Sequence, residues 1–365
     1  MSLADAPLQA SAGCPVCGEG VVPGDAFCES CGSALDPSDP AASEAAASAR
    51  DESFPVPKTM KSQAPGVGDE CLECGGEVLD DGFCSQCGKK APSPRDHWQE
   101  SPVDWVGGVC DKGIVHARNE DAMALAGLPD RSLAVLVVCD GVTSAPDSDR
   151  ASLAAARAAC AALVGTPPPT GDAVAARVSV WSAALNRACA DGNAAAIGVA
   201  RSLGNPSEPP SCTFVAAVLH RDVVTVGWCG DSRAYWLPDE GEAVQLMVDH
   251  SLGTELIAGG MSREDAERDS TFHTITSWLG ADSVDATPDL NSHQLPSAGW
   301  LLVCSDGLWN YASPAATLQA LVREQVAQGN RAPTKIAAAL VAWANAQGGH
   351  DNITAALARY EPSLR

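Results

Sequence analysis

The sequence predicts an α+β fold for its larger part, preceded by two small cysteine-rich modules. Three observations carry that expectation. Apolar runs of strand length cluster from about Trp105 onward, helical periodicities occupy separate stretches, and the first ninety residues repeat one cysteine pattern four times. With 365 residues, 45% of them hydrophobic, the chain is long enough for one large domain with small modules attached.

The cysteine pattern reads CPVCG, CESCG, CLECG and CSQCG, starting at Cys14, Cys28, Cys71 and Cys84. The first two copies enclose ten residues and the last two enclose nine, as expected of a duplicated unit. Two thiols separated by two residues can reach one ion, and the glycine that follows permits a tight turn. Cys14, Cys17, Cys28 and Cys31 are therefore expected to hold one Zn²⁺ in a ribbon over 13–33. Cys71, Cys74, Cys84 and Cys87 are expected to hold a second over 70–90. Protein would fill all four positions, which makes each site structural. A ribbon of about twenty residues cannot bury a core, so metal binding would supply its folding energy. Disulfides suit an extracellular chain, and a redox pair needs a strand-helix unit that is missing here. The stretch 34–69, rich in Ala, Ser, Pro and acid, reads as a disordered linker, and 91–104 as a shorter one.

The large domain is expected over 105–360. CTFVAAVLHRDVVTVGWCGDSRAYWL reads as consecutive buried strands, with a turn at Arg221-Asp222 and a break at Gly230-Asp231-Ser232. Val174, Val178, Trp181 and Leu185 recur at helical spacing, as do Ile336, Leu340 and Trp343. Ser313-Pro314 reads as an N-cap and first-turn proline ahead of Leu318, Val322 and Val326. Separate strand runs and long helices favour α+β over alternating α/β. The remaining seven cysteines, Cys110, Cys139, Cys160, Cys189, Cys212, Cys229 and Cys304, lie in apolar surroundings and read as core.

Acids recur beside glycine or at strand ends: Glu120 and Asp121 in RNEDA, Asp140 in CDGV, Asp231 in GDSRAYW, Asp306 in SDGLW and Asp351 in GGHDNIT. A lone Asp-Gly is usually a turn. Five such sites after apolar strands suggest convergence, and a converged set of carboxylates calls for hard divalent cations such as Mg²⁺ or Mn²⁺.

These motifs, with DHSL and the segment ELIAGGMSREDA (Glu255 to Ala266), occur in an order that resembles the type 2C metal-dependent protein phosphatases, the PPM family, of bacterial type. The resemblance spans roughly Val106 to Tyr360. It implies a central antiparallel β-sandwich flanked by paired helices, with the metals at one end and Glu255–Ala266 as a helical flap. It further implies that Asp140, Asp306 and Asp351 hold one ion and that Asp140 bridges to a second. The Gly141 carbonyl would bind that second ion and Glu120 would reach it through water, with Asp231 at a third, weaker site and Asp121 supporting the corner. The implied activity is hydrolysis of phosphoserine and phosphothreonine in proteins by water activated between two metals. Substrates would be kinase targets or the kinase itself, and the ribbons would recruit a protein partner.

The sequence departs from the family at three places. His116 stands where the phosphate-binding arginine is usual, with Arg118 two residues on; either is expected to contact the substrate phosphate. Val142 follows Asp140-Gly141 where eukaryotic members often carry histidine, and Trp228 replaces the usual asparagine. The alternative reading is a catalytically weak regulator that binds phosphoproteins.

Acidic residues (46) outnumber basic ones (23), giving a net charge of -23, which disfavours nucleic acid as a partner. The first ribbon has no Lys or Arg between Cys14 and Cys31. No apolar run approaches the ~18 residues of a membrane span. The N-terminus MSLADAPLQA has neither the basic nor the apolar region of a signal peptide, so a soluble, cytoplasmic chain is expected.

Overall fold

The computed structural model describes residues 12–13, 20–21, 68–71, 74–142, 145–169 and 171–362. Cys14, Cys17, Cys28 and Cys31, and all but the last two residues of the linker expected over 34–69, lie outside the described residues. Two short strands, β1 (Ala12–Gly13) and β2 (Gly20–Val21), pair antiparallel where the first ribbon is expected.

Two antiparallel sheets build the large domain. One contains β5 (Ala122–Gly127), β6 (Leu133–Cys139), β8 (Phe214–His220), β9 (Val223–Cys229) and β13 (Asp289–Gln294), in the order β13-β9-β8-β6-β5. The other contains β3 (His97–Val103), β4 (Val106–Asp111), β10 (Arg233–Pro238), β11 (Val244–Gln245), β14 (Gly299–Cys304) and β15 (Ile353–Tyr360), in the order β11-β10-β14-β15-β4-β3. A two-stranded piece, β7 (Ser211–Cys212) with β12 (Leu279–Gly280), lies apart from both.

Strand periodicity explains the layers. Along β6, Ala134, Leu136 and Val138 join Leu301, Val303 and Ala356 of the other sheet in a core between the sheets. Leu133, Val135, Val137 and Cys139 point the other way, into a second core with α1 (Ser148–Val164) and α2 (Val174–Ser202). On the far side, Leu302, Cys304 and Leu357 meet Leu318 and Val322 of α6 (Ala315–Ala327) and Ile336 and Leu340 of α7 (Pro333–Ala346). Because both faces of each sheet are covered, the inner strands read as continuous apolar runs rather than alternations. This is the helix-flanked sandwich that the motifs imply. All seven cysteines assigned to the core are buried and free.

The hairpin between β8 and β9 turns at Arg221-Asp222, with Arg221 at φ 58. The break at Gly230-Asp231-Ser232 is where the chain leaves one sheet for the other. Glu255–Ala266 forms two short helices, α3 (Leu252–Ala258) and α4 (Arg263–Ala266), parted at Gly259-Gly260. Their caps are Ser251 and Ser262, whose hydroxyls accept the N–H groups of Thr254 and Asp265. Between β14 and α6 a single turn, α5 (Asp306–Trp309), carries Asp306 at its start.

Two local expectations are corrected. Residues 97–103 are not linker but β3, an edge strand whose Trp98 and Glu100 face inward while His97 and Gln99 face out. Pro102 sits at an irregularity in the pairing with β4, a place where an edge strand tolerates proline. Glu100 is held by the Leu125 N–H at 2.8 Å and by Arg157. Arg95, also inside the expected linker, donates to the carbonyls of Asp121 and Asp149. Ser313 does not cap α6: Pro314 is the N-cap residue, and the Ser313 hydroxyl meets Glu267 and Arg263 instead.

Candidate active site

Strand register gathers the acids. Ala122 pairs with Cys139, which sets Glu120-Asp121 beside Asp140. Cys304 pairs with Ala355, which sets Asp306 beside Asp351, and with Arg233, which sets Asp231 on the other side of Asp306. All the predicted carboxylates therefore lie at one end of the sandwich.

Backbone bonds, rather than carboxylate bonds, hold several of these loops. The Asp140 N–H donates to Thr213 Oγ1 at 3.0 Å, and its carbonyl accepts the Thr213 N–H at 2.7 Å. The Gly141 N–H donates to the Glu120 carbonyl, which also accepts the Ser152 hydroxyl. The Trp309 indole donates to the Asp231 carbonyl at 3.0 Å. Asp306 Oδ2 accepts from Asn310 at 3.0 Å, whereas its Oδ1 is buried without a hydrogen-bond partner.

Glycine permits the close approach of these loops. A Cβ on Gly307 would lie 2.0 Å from the Asn352 carbonyl oxygen, and one on Gly141 would lie 2.7 Å from that of Glu120. The glycine after each aspartate thus lets a neighbouring acidic loop dock. Gly113 is the strictest case: its φ is +76 and a Cβ would stand 2.1 Å from the Asp351 carbonyl oxygen. Gly113→Ala is expected to cost at least about 1–2 kcal/mol of backbone strain and to displace Asp351, lowering kcat/KM more than tenfold. Thermal unfolding and steady-state kinetics read the two effects separately.

The electrostatics follow from burial. Asp140 and Asp231 are pushed well above the usual carboxylate range, first by burial and then by neighbouring carboxylates. Burial, then the charge of Asp351, pushes Asp306 up to about 6. These groups bind protons more tightly folded than unfolded. Their contribution to stability is therefore full below the unfolded pKa near ~4 and lost as pH rises through about 6 and above. The melting temperature in Mn²⁺-free buffer should fall between pH 5 and pH 8 through this term. The upward shift produced by added Mn²⁺ should grow over the same window, because ligands must be deprotonated to bind. Thermal scans at both pH values, with and without Mn²⁺, check this.

Asp121 is fully buried, and its Oδ2 accepts the hydroxyls of Ser305 (2.6 Å) and Thr354 (2.7 Å), bolting one sheet to the other. Its pKa rises to about 7 through burial. The Glu120 carboxylate accepts two bonds from Arg118 on Oε1, at 3.0 and 2.7 Å. Arg118 is thus engaged with an acid of the site. His116 Nε2 stands 3.4 Å from Asp351 Oδ1. Trp228 donates its indole N–H to the Val248 carbonyl and lies tilted against His250.

Several residues that organise the site carry no local sequence signal. Asn352 accepts the Glu120 N–H and donates to the carbonyls of Lys112 and Arg118, tying the loop between β4 and β5 to its own loop before β15. Thr213 holds Asp140 from far along the chain. Only the position of Asn352 inside GGHDNIT hinted at a role.

In the second ribbon, Cys71, Cys74, Cys84 and Cys87 place their ligand atoms all within 4.8 Å of one another, the only such group of three or more His, Cys, Asp or Glu among the described residues. The carboxylates converge more loosely. The Cys71–Cys87 and Cys74–Cys84 sulfurs are 3.8 and 3.4 Å apart, too far for disulfides and near the ~3.8 Å edge of a tetrahedral four-thiolate zinc site. Gly75 and Gly88 take φ +73 and +67 in the turns after each thiol pair, and the Gln86 N–H faces Cys84 Sγ.

Comparison with known proteins agrees with this geometry. Residues 114–345, more than half of the chain, match the family model "Protein phosphatase 2C", and residues 14–94 match "Double zinc ribbon". The chain is 29% identical over 250 residues to the serine/threonine phosphatase stp of Listeria innocua, covering 68% of this chain and 92% of that one. It is similar to the crystal structure of the Mycobacterium tuberculosis serine/threonine phosphatase PstP/Ppp, with TM-score 0.55, 26% identity, and coverage of 70% of this chain and 98% of that one. The catalytic domain of PstP in complex with two manganese ions shares the fold, with TM-score 0.52, 23% identity, and coverage of 70% and 98%. With its sandwich, its ordered acidic motifs and this match, the chain belongs to the protein phosphatase 2C family and carries a double zinc ribbon ahead of the catalytic fold.

Proposed function

We propose that the protein is a metal-dependent serine/threonine phosphatase acting on phosphorylated proteins. The observation that carries this reading is the convergence of Asp140, Asp231, Asp306 and Asp351, with Glu120, at one end of the sandwich. The donor set fits hard divalent cations: it is all oxygen, its charges repel one another, and a buried Asp306 oxygen lacks a partner. The manganese-bound relative supports two ions of this kind. Asp140, Asp306 and Asp351 would hold one, Asp140 and the Gly141 carbonyl the other, with Glu120 behind it and Asp231 at a third. When bound, the ions supply Lewis acidity that activates water and draws charge from the phosphoryl oxygens. Thr213, Asn352 and Asp121 keep the loops in register. His116, beside Asp351, is placed to donate to a phosphate oxygen when protonated, and Arg118 can do so by releasing Glu120. The ribbons hold Zn²⁺ and serve as a recruiting module.

The Arg118–Glu120 pair favours a second reading, a weak phosphatase that chiefly binds phosphoproteins, because Arg118 already has a carboxylate partner. Hydrolysis of a phosphothreonine peptide by the full chain decides between them. The enzyme reading expects Mn²⁺-dependent turnover, lost in EDTA, that falls at least tenfold in His116→Ala or Arg118→Ala. Tight peptide binding without turnover would establish the second reading. Unchanged kinetics in both variants would remove the roles given to His116 and Arg118.

A further inference from the structure

A cleft of about 350 Å³ opens directly beside the aspartate loop and has no part in the chemistry described above. Its apolar walls are Val142, Pro209, Ile275 and Trp278, and its rim carries Glu208 and Asp282. Val142 follows Gly141 in the chain, so one wall is continuous with the catalytic end. The opposite wall is fixed to it: the Val142 N–H donates to the Ser211 carbonyl at 2.9 Å, and Ser211 pairs with Gly280. Trp278 is half-buried at the cleft wall, and its indole N–H donates to Asp282 Oδ1 at 3.0 Å, which anchors the ring there. A side chain at Gly280 would meet Ser211 at 2.7 Å and Asp282 Oδ1 at 3.1 Å, so glycine is what lets Asp282 approach the N–H edge of the indole.

Glu208 and Asp282 are both exposed, and among the described residues neither forms an ion pair with a cationic side chain. Apolar walls, an anchored indole and two uncompensated carboxylates are the complement of a long basic side chain. The methylene stem would lie on Val142, Pro209 and Ile275, and the charged head would lie against Trp278 between the acids.

We infer that this cleft receives a lysine or arginine flanking the phosphorylated residue, so that Trp278, Glu208 and Asp282 select phosphoproteins with basic sequence around the phosphosite. The inference rests on the phosphatase reading and adds a substrate class to it. A net charge of -23 draws such substrates in before the cleft sorts them.

The test uses the full chain with Mn²⁺ and phosphothreonine peptides that differ only in Arg, citrulline, Leu or Glu at the flanking positions. The Arg peptide is expected to exceed the others in kcat/KM by about tenfold or more. In Trp278→Ala and in Glu208→Gln/Asp282→Asn that preference should collapse, while turnover of p-nitrophenyl phosphate, too small to reach the cleft, stays unchanged. Equal rates for all peptides, a preference for Leu, or a preference that survives both variants overturns the inference. Absence of p-nitrophenyl phosphate hydrolysis would instead count against the phosphatase reading. Peptide affinity by fluorescence anisotropy then decides the cleft, with equal binding of the Arg and Glu peptides refuting it.

Discussion

Asp306→Asn is expected to lower Mn²⁺-dependent phosphopeptide hydrolysis by roughly 10³-fold or more, the scale of losing an electrostatic element of a phosphoryl-transfer site. The same change should raise the melting temperature in Mn²⁺-free buffer. Asp306 is crowded by the charge of Asp351, and one of its oxygens is buried without a donor. A neutral amide removes that repulsion and can donate to an adjacent carboxylate. Loss of activity with a gain in stability distinguishes a functional acid from a structural one, for which both quantities fall together. Kinetics and thermal scans on one preparation measure both.

The second large effect lies behind the site. Arg233 and Asp249 are both buried, and the guanidinium donates twice to Asp249 Oδ2, at 2.9 and 2.6 Å. The guanidinium also sits 3.4 Å over the Trp309 ring, and Asp249 accepts the Thr254 hydroxyl at the base of the flap. Asp249→Ala strands a buried cation and should cost roughly 3–5 kcal/mol, lowering the melting temperature by on the order of 10 °C. Removing both charges, with Arg233→Met and Asp249→Leu together, should recover most of that loss, since a buried pair is often matched by an apolar one. A double-mutant cycle by denaturant unfolding checks it. Full cost in the double variant would show that the pair does more than neutralise itself.

The sequence made some features legible and concealed others, for identifiable reasons. Doubly covered strands such as Leu133–Cys139 stand out as unbroken apolar runs, and acids that end them stand out by contrast. The thiol repeat is legible because metal ligation needs fixed spacing. Strand β3 was hidden because an edge strand alternates polar and apolar residues and tolerates Pro102, so its composition imitates a linker. Ser313-Pro314 carries the signal of a helix start, yet the chain enters the helix one residue later and the hydroxyl is spent on Glu267. Thr213, Ser305 and Asn352 bond to partners distant in sequence, and nothing near them in the chain predicts those bonds. The engagement of Arg118 by Glu120 was equally concealed, although the two are close in sequence, because side-chain direction is set by the folded loop.

The carboxylate end of the sandwich is claimed to be a seat for divalent cations, and calorimetric titration of Mn²⁺ into the zinc-loaded full chain tests that claim most directly. At least two Mn²⁺ should bind per chain at pH 7.5, and Asp140→Asn should abolish uptake of at least one of them. A wild-type chain that takes up no Mn²⁺, or uptake that is the same in Asp140→Asn, would contradict it.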